Sequence, residues 1–355
     1  MKTSIIRTRV IDLHNYKFRI LFIFCLISLQ INAQEISTEK TCIDCHKRTV
    51  RNEILHGPTA TDCLVCHVPN GKKHPIEDEE GFTLLYEGAA LCYSCHEEAQ
   101  DVYLKDKYIH DPVQKGDCME CHEVHSSNDS NLIFAKSPDL CYFCHDELES
   151  VIEKSKIVHS PATKEGGCVN CHSPHSSSIK KILLKNEKAL CLECHDETIS
   201  VEEREISNIA KLIEDSEFKH EALDDGCTVC HDPHASENLY LLNVPYPTKN
   251  YAEGTEENYD LCFGCHDADL LLLEKTKYAT EFRNGEQNLH YVHINKKKGR
   301  TCVNCHSIHG SSRDHLVPET VKFGSWDMPL KYIATEEGGT CLSGCHKEES
   351  YTREL

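Results

Sequence analysis

The sequence predicts a fold of loops and short α-helices, with little or no β-sheet and a core filled by bound groups rather than by side chains. The chain of 355 residues holds 23 cysteines and 24 histidines, far more than an enzyme scaffold with incidental thiols would carry. Only 39% of its residues are hydrophobic, so a core of protein alone would be thin. The connecting stretches are rich in Gly, Pro, Ser and Asn, and we see no convincing strand alternation.

The chain begins with the parts of a secretory signal peptide, over residues 1–33. A basic stretch (1–19) precedes an apolar run (20–31) and a small-residue exit at Ala33. The run is shorter than the roughly 20 residues that a membrane span needs. Lipidation at Cys25 is the less favoured alternative. We therefore expect a periplasmic protein with no transmembrane anchor after cleavage, with the cell surface or the extracellular space as alternatives.

Eleven cysteine motifs account for every cysteine after the signal segment. Ten have the form C-x-x-C-H, and the last is one residue wider. Their cysteine pairs are Cys42 and Cys45, Cys63 and Cys66, Cys92 and Cys95, Cys118 and Cys121, Cys141 and Cys144, Cys168 and Cys171, Cys191 and Cys194, Cys227 and Cys230, Cys262 and Cys265, Cys302 and Cys305, and Cys341 and Cys345. The histidines that follow them are His46, His67, His96, His122, His145, His172, His195, His231, His266, His306 and His346.

This motif is the attachment site of c-type haem. The two thiols add to the vinyl groups of the haem, and the adjacent histidine ligates the iron from one face. Zinc is the alternative, but a zinc site does not require a histidine directly after each cysteine pair. The sequence therefore predicts up to 11 covalently bound haems. The wide motif at Cys341 is expected to be loaded, or else is a degenerate site that the attachment machinery skips.

Histidine is also the expected ligand on the second face of each iron. Beyond the signal segment the chain has only two methionines, Met119 and Met328, so methionine can serve at most two haems. Twelve histidines lie outside the motifs and the signal segment: His56, His74, His110, His125, His159, His175, His220, His234, His290, His293, His309 and His315. Twelve candidates for eleven irons predict a nearly complete bis-histidine set, with either His290 or His315 as the last ligand.

An internal repeat divides the chain into units of two motifs. Each unit has a leading histidine seven to nine residues before its first motif, and four units have a trailing histidine three residues after that motif's histidine. The predicted divisions are a single-haem segment over 34–55 and two-haem repeats over 56–107, 108–156, 157–217, 218–289 and 290–355. Helices are expected over 146–157, 196–223 and 267–284, where apolar residues recur three and four apart.

With these doubled motifs the sequence resembles a broad group of multihaem cytochromes. The group includes the cytochrome c3 and c7 types, the pentahaem electron donor of periplasmic nitrite reductase, and haem-wire cytochromes. The resemblance covers roughly residues 40–350. It implies bis-histidine haems, a haem-packed core and electron transfer, without implying a particular redox partner.

The expected function is that of an electron carrier with no catalytic residues. The formal net charge of −20 disfavours a nucleic-acid partner and favours redox proteins with basic docking patches. One alternative is a multihaem reductase of nitrite or hydroxylamine type, with an open iron at the site of His46 or His346. The other is a self-associating subunit of an extracellular cytochrome filament.

Overall fold

The computed structural model describes residues 40–74, 80–201 and 204–354. The predicted signal peptide and the first residues of the 34–55 segment lie outside this part of the chain. The α-helices are all short: Cys42–Cys45, Gly57–Thr61, Ala89–Tyr93, Glu97–Tyr103, Asp111–Lys115, Asp139–Tyr142, Asp146–Lys154, Ser160–Thr163, Glu187–Leu192, Ile209–Asp215, Ala222–Asp225, Asp260–Phe263, Asp269–Leu272 and Leu289–Ile294. Short helices, small antiparallel ladders and long loops thus make up the described chain.

The two motifs of a unit have different backbone forms. The first motif of each unit lies in a 3-10 turn: Cys63–Val65, Cys118–Glu120, Gly167–Asn170, Cys227–Val229 and Cys302–Asn304. The second motif in each of the first four units lies at the end of an α-helix: Ala89–Tyr93, Asp139–Tyr142, Glu187–Leu192 and Asp260–Phe263. In both forms the histidine N–H donates to the carbonyl of the first cysteine, as His122 does to Cys118 at 3.1 Å. This tight turn keeps both thiols and the imidazole at one site.

Consecutive units are joined by two-residue antiparallel ladders. The strand before a leading histidine pairs with the strand after the trailing histidine of the next unit. The pairs are Ile54–Leu55 with Ser126–Ser127, Tyr108–Ile109 with Ser176–Ser177, Ile157–Val158 with Ala235–Ser236, and Phe218–Lys219 with Gly310–Ser311. The repeat therefore interlocks each unit with the next one along the chain.

Further two-stranded ladders lie within units, apart from the one between Tyr251–Ala252 and Gly299–Arg300, which joins the fourth two-haem unit to the fifth. They join His67–Pro69 to Phe82–Leu84, Ile199–Val201 to Arg204–Ile206, Tyr251–Ala252 to Gly299–Arg300, and Arg283–Asn284 to Gln287–Asn288. The remaining 3-10 turns are Lys47–Val50, Lys180–Ile182, Leu239–Leu241, Glu256–Tyr259 and Asp314–Leu316.

The prediction of little or no β-sheet is wrong at the C-terminus. Strands Thr320–Phe323, Trp326–Thr335, Gly338–Ser343 and Glu349–Thr352 form a four-stranded antiparallel sheet, which we call the C-terminal sheet. Val321, Met328 and Leu330 face inward and form its small core with Val317. Gly324, with φ of +62°, makes the tight turn that joins the first two strands.

Two of the three predicted helices are much shorter than expected. The segment 146–157 does contain a helix, Asp146–Lys154. The segment 196–223 instead holds a hairpin and then the helix Ile209–Asp215. Asn208 caps the N-terminus of this helix, because its side-chain oxygen accepts a hydrogen bond from the Lys211 N–H. In 267–284 only Asp269–Leu272 is α-helical, because the Asn288 amide takes up the Leu273 carbonyl where the chain turns away.

Candidate haem-binding sites

Every motif histidine lies opposite one histidine from outside the motifs. The eleven pairs are His46 with His74, His56 with His96, His67 with His125, His110 with His145, His122 with His175, His159 with His195, His172 with His234, His220 with His266, His231 with His309, His290 with His306, and His293 with His346. No histidine is used twice. Of the twelve predicted second ligands, only His315 lies outside these pairs.

The spacing of the pairs fits an iron between two imidazoles. Ring centroids lie 5.8 to 6.5 Å apart, too far for direct stacking at the usual contact distance of about 3.5–4.0 Å. A ring nitrogen lies about 2 Å from a metal ion that it ligates, so two rings joined end to end through one iron have centroids roughly 6 Å apart. The ring planes of ten pairs differ by only 6° to 16°, and those of His293 and His346 by 41°.

Hydrogen bonds at Nδ1 leave Nε2 as the ligating atom of many of these rings. Nδ1 of His56 donates to the Val124 carbonyl at 2.9 Å, and Nδ1 of His122 donates to the Asn131 carbonyl at 2.9 Å. Equivalent bonds to backbone carbonyls form at His110, His159, His172, His231, His293, His306 and His346. Such a bond fixes the tautomer and orientation of a metal-bound imidazole and raises its basicity.

Burial keeps several of these imidazoles neutral, as a metal ligand must be. It lowers the pKa of His309 to about 4 and that of His290 to about 3. Burial likewise lowers the pKa of His175 and His234 below their usual range. A neutral ring presents a lone pair at Nε2, so these surroundings suit iron binding.

The pairs follow a relay from one unit to the next. A leading histidine pairs with the second motif of its own unit, as His110 does with His145. The first motif instead takes the trailing histidine of the following unit, as His122 does with His175. His46 follows the same rule, because its partner His74 lies after the first motif of the next unit. The segment before residue 56 thus behaves as the end of a unit.

The last unit departs from this rule, because its first motif pairs with a histidine from its own N-terminal side. The first motif there, with His306, takes His290 from a position before the unit's leading histidine His293. Nδ1 of His290 bonds to the Thr280 hydroxyl at 3.0 Å instead of to a carbonyl. Of the two histidines that the sequence left open, His290 faces a motif histidine, and His315 faces none among the described residues.

His315 has a backbone role. It lies nine residues after His306, as Asn131, Lys181 and Tyr240 lie nine after their motif histidines, and its carbonyl accepts from Nδ1 of His306 at 2.7 Å. Its own φ is +57°, and its side chain contacts Asp314 at 3.1 Å. The sequence signal for this turn is the constant spacing of nine residues from the motif histidine to the residue whose carbonyl it bonds.

The two methionines lie away from the imidazole pairs. Met119 is 67% exposed. Met328 is buried in the C-terminal sheet, with its sulfur 3.3 Å from the Cys345 sulfur rather than at a histidine. Neither position supports ligation of an iron by methionine.

The cysteines place the motifs in a row that follows chain order. The first cysteine of one unit's second motif lies beside the first cysteine of the next unit, and the neighbouring thiol raises the pKa of Cys141, Cys191 and Cys262. Cys92 lies beside Cys118 in the same way, and Cys63 lies beside Cys42. Within a unit the second cysteines approach each other, as at Cys121 and Cys144.

Hydrogen bonds fasten the junctions between units. The Ser137 hydroxyl accepts from the Cys168 N–H at 2.9 Å, and the Glu187 carboxylate accepts from the Thr228 N–H at 2.8 Å. These contacts hold the second motif of one unit against the first motif of the next. Two kinds of neighbour contact thus alternate along the row, one within a unit and one between units.

No helix in the described ranges is long and apolar enough to cross a bilayer. This holds for residues 40–74, 80–201 and 204–354.

Comparison with known proteins agrees with the motif geometry. The family described as doubled CXXCH motif matches residues 56–101, 110–150, 159–200 and 220–270, together just over half of the chain. No curated protein matches the sequence significantly. The family match confirms the predicted resemblance for the group as a whole, while the likeness to the c3 and c7 types stays a prediction. The chain belongs to the doubled CXXCH motif family and is a multihaem c-type cytochrome.

Proposed function

We propose that the protein carries electrons along a row of eleven covalently bound haems, each held by two histidines. The observation that carries the proposal is the one-to-one pairing of eleven motif histidines with eleven others, at a spacing that suits one iron per pair. When bound, haem c supplies an iron that cycles between Fe(III) and Fe(II), so one site loses an electron as its neighbour gains it, with no bond made or broken.

The chain's own residues hold the sites rigid and close together. Each cysteine pair would anchor one haem, and each pair of imidazoles would ligate its iron. Carbonyls such as those of Val124 and Asn131 orient the rings, and the ladders between units keep successive sites at fixed spacing. Two histidine ligands favour a lower potential than one histidine and one methionine do.

The cysteine contacts support a row in which the order of sites follows the order of motifs. Electrons would pass from the site of His46 through each unit in turn to the site of His346, or in reverse. Contacts such as Cys141 with Cys168 continue the row across each unit boundary. The row can therefore act as a conduit between partners that bind at its two ends.

The predicted signal peptide and the acidic composition indicate where the protein works and which partners it binds. We propose that the mature protein works in the periplasm or at the cell surface, because haem c proteins are usually exported and the sequence begins with the parts of a signal peptide. The net charge of −20 favours redox proteins with basic docking patches.

The complete set of imidazole pairs favours a carrier over a reductase. A reductase needs one iron with an exchangeable position, and here each motif histidine has a partner within the described residues. A filament subunit would place the end sites against another copy of the chain, and the oligomeric state of the purified protein distinguishes it from a separate carrier.

The proposal is tested by counting haems and reading their spin state. Pyridine haemochrome and intact mass of the purified protein should give eleven haems per chain, and low-temperature EPR of the oxidised form should show low-spin iron only. Zinc in place of haem would overturn the proposal. A high-spin signal from one haem would instead identify an open iron and support the reductase alternative.

A further inference from the structure

Arg300 lies between the last two motifs of the row. It stands two residues before Cys302 and pairs with Tyr251 in a two-residue ladder. Its guanidinium carbon lies 4.3 Å from the Tyr251 ring centroid and 4.7 Å from that of Phe323. Nη2 donates to the Cys345 sulfur at 3.1 Å. Two aromatic rings and a thiol that would carry haem therefore hold this cation in place.

The charge of Arg300 has no carboxylate partner in the described chain. None of the ion pairs between described residues involves it, and its Nη1 is buried without a hydrogen-bond partner there. Arg300 also stands two residues before Cys302, so its charge lies beside the tenth motif as well. A half-buried charge of this kind is screened much less than a charge in open solvent.

Among the five two-haem repeats, only the last carries a cation at this place. The residues two before the first cysteine of the other units are Thr61, Gly116, Gly166 and Asp225, which are neutral or acidic. In the single-haem segment Lys40 stands two residues before Cys42, but its side chain is exposed, whereas Arg300 is half-buried. A half-buried cation at this place is therefore a feature of the last unit and not of the repeat.

We propose that Arg300 sets the reduction potential of the last two haem sites above that of the rest of the row, so that electrons collect at the C-terminal end. This inference rests on the proposed function, in which haems fill these sites. Reduction removes one positive charge from a haem, so a fixed cation nearby destabilises the Fe(III) form relative to Fe(II). The electron comes from the adjacent haem, whose iron is oxidised as the terminal iron is reduced.

The twisted ligand pair gives the terminal site its own spectroscopic signature. The 41° between the planes of His293 and His346 splits the iron orbitals differently from the near-parallel planes of the other ten pairs. This site should therefore have a distinct low-spin EPR signal. In a potentiometric titration of the wild-type protein followed by EPR, we expect that signal to disappear at higher potential than the bulk of the haems. Its reduction after the bulk would overturn the proposal.

Substitution at Arg300 separates the charge from the structure. In R300Q we expect the equilibrium constant for reduction of the haem at His293 and His346 to fall at least tenfold. For a one-electron couple, this corresponds to a reduction potential lower by 59 mV. R300K keeps the positive charge, so its reduction potential should fall less than that of R300Q. The matched control K298Q removes an exposed lysine from the same segment and should leave the titration unchanged.

These outcomes also separate the inference from the function on which it rests. An R300Q titration equal to wild type, or an R300K loss as large as that of R300Q, contradicts a role for the charge. A haem count below eleven or a high-spin signal in wild type contradicts the proposed function instead. If R300Q fails to bind its haems, the wild-type titration tests the proposal: reduction of the twisted site before the bulk supports it, and reduction after the bulk contradicts it.

Discussion

The backbone N–H of His56 donates to the carbonyl of His125 at 2.9 Å, although the two imidazoles belong to different sites. The ring of His56 faces His96, and that of His125 faces His67. One backbone hydrogen bond thus ties together two neighbouring histidine pairs. The same bond recurs between His110 and His175 and between His159 and His234, each at 2.9 Å, so the ladders that interlock the units also fix the spacing of the histidine pairs.

The relay predicts that loss of a trailing histidine opens an iron in the preceding unit. In His125→Ala, the haem attached beside His67 loses its second ligand, because His125 is the only ring that faces His67 among the described residues. We expect one high-spin haem per chain by EPR, with the haem count unchanged. His315→Ala is the matched control and should remain fully low-spin. High-spin iron in His315→Ala would contradict the pairing.

The wide motif predicts one removable haem. The double variant Cys341→Ser, Cys345→Ser should lose the mass of a single haem and the EPR signal of the twisted pair. The other ten sites lie in separate turns and should keep their haems. Intact mass spectrometry checks the count, with the double variant Cys42→Ser, Cys45→Ser as the comparison at the opposite end. An unchanged mass in the Cys341 variant would show that this motif is not loaded in the wild type.

The turn that presents a backbone carbonyl to a motif histidine predicts where glycine stabilises the chain. Lys181 has φ of +61° and presents its carbonyl to Nδ1 of His172. A side chain in this left-handed region costs roughly 1 kcal/mol, which glycine does not incur. Lys181→Gly should therefore be more stable than Lys180→Gly by about 1 kcal/mol, measured as the free energy of unfolding in guanidinium with haems attached. Both lysines are exposed, and equal stabilities would argue against the turn.

The acidity of the chain predicts how its electron exchange responds to salt. With a net charge of −20, oxidation of the reduced protein by hexaammineruthenium(III) should slow as ionic strength rises. Oxidation by anionic ferricyanide should become faster over the same range. Stopped-flow absorbance at the haem bands measures both rates. The same salt response for both oxidants would show that the net charge does not govern encounter.

The motif chemistry could be predicted from the sequence because the cysteines and the histidine of each site lie within one turn. The relay was not predicted, because the sequence shows that His125 and His175 are candidates but does not show which motif each one faces. The pairing of His306 with His290 rather than His315 could have been predicted. His315 lies nine residues after its motif histidine, as Lys181 and Tyr240 do, and their carbonyls bond to that histidine.

The C-terminal sheet and the short helices depend on contacts that composition does not reveal. In this sheet Trp326 is 47% exposed, whereas the neighbouring Met328 and Leu330 face inward. The helix near Leu271 ends early because Asn288, which lies far along the chain, takes up the carbonyls at its end. These features follow from tertiary packing and not from local propensity.

A cryo-EM or crystal structure of the purified haem-loaded protein would show the number, ligands and order of the haems together. We predict eleven haems in a row that follows the order of the motifs, each iron between the two histidines paired here, with His290 bound and His315 unbound. A haem order that departs from the chain order, or an iron that lacks its second histidine, would contradict the proposed conduit.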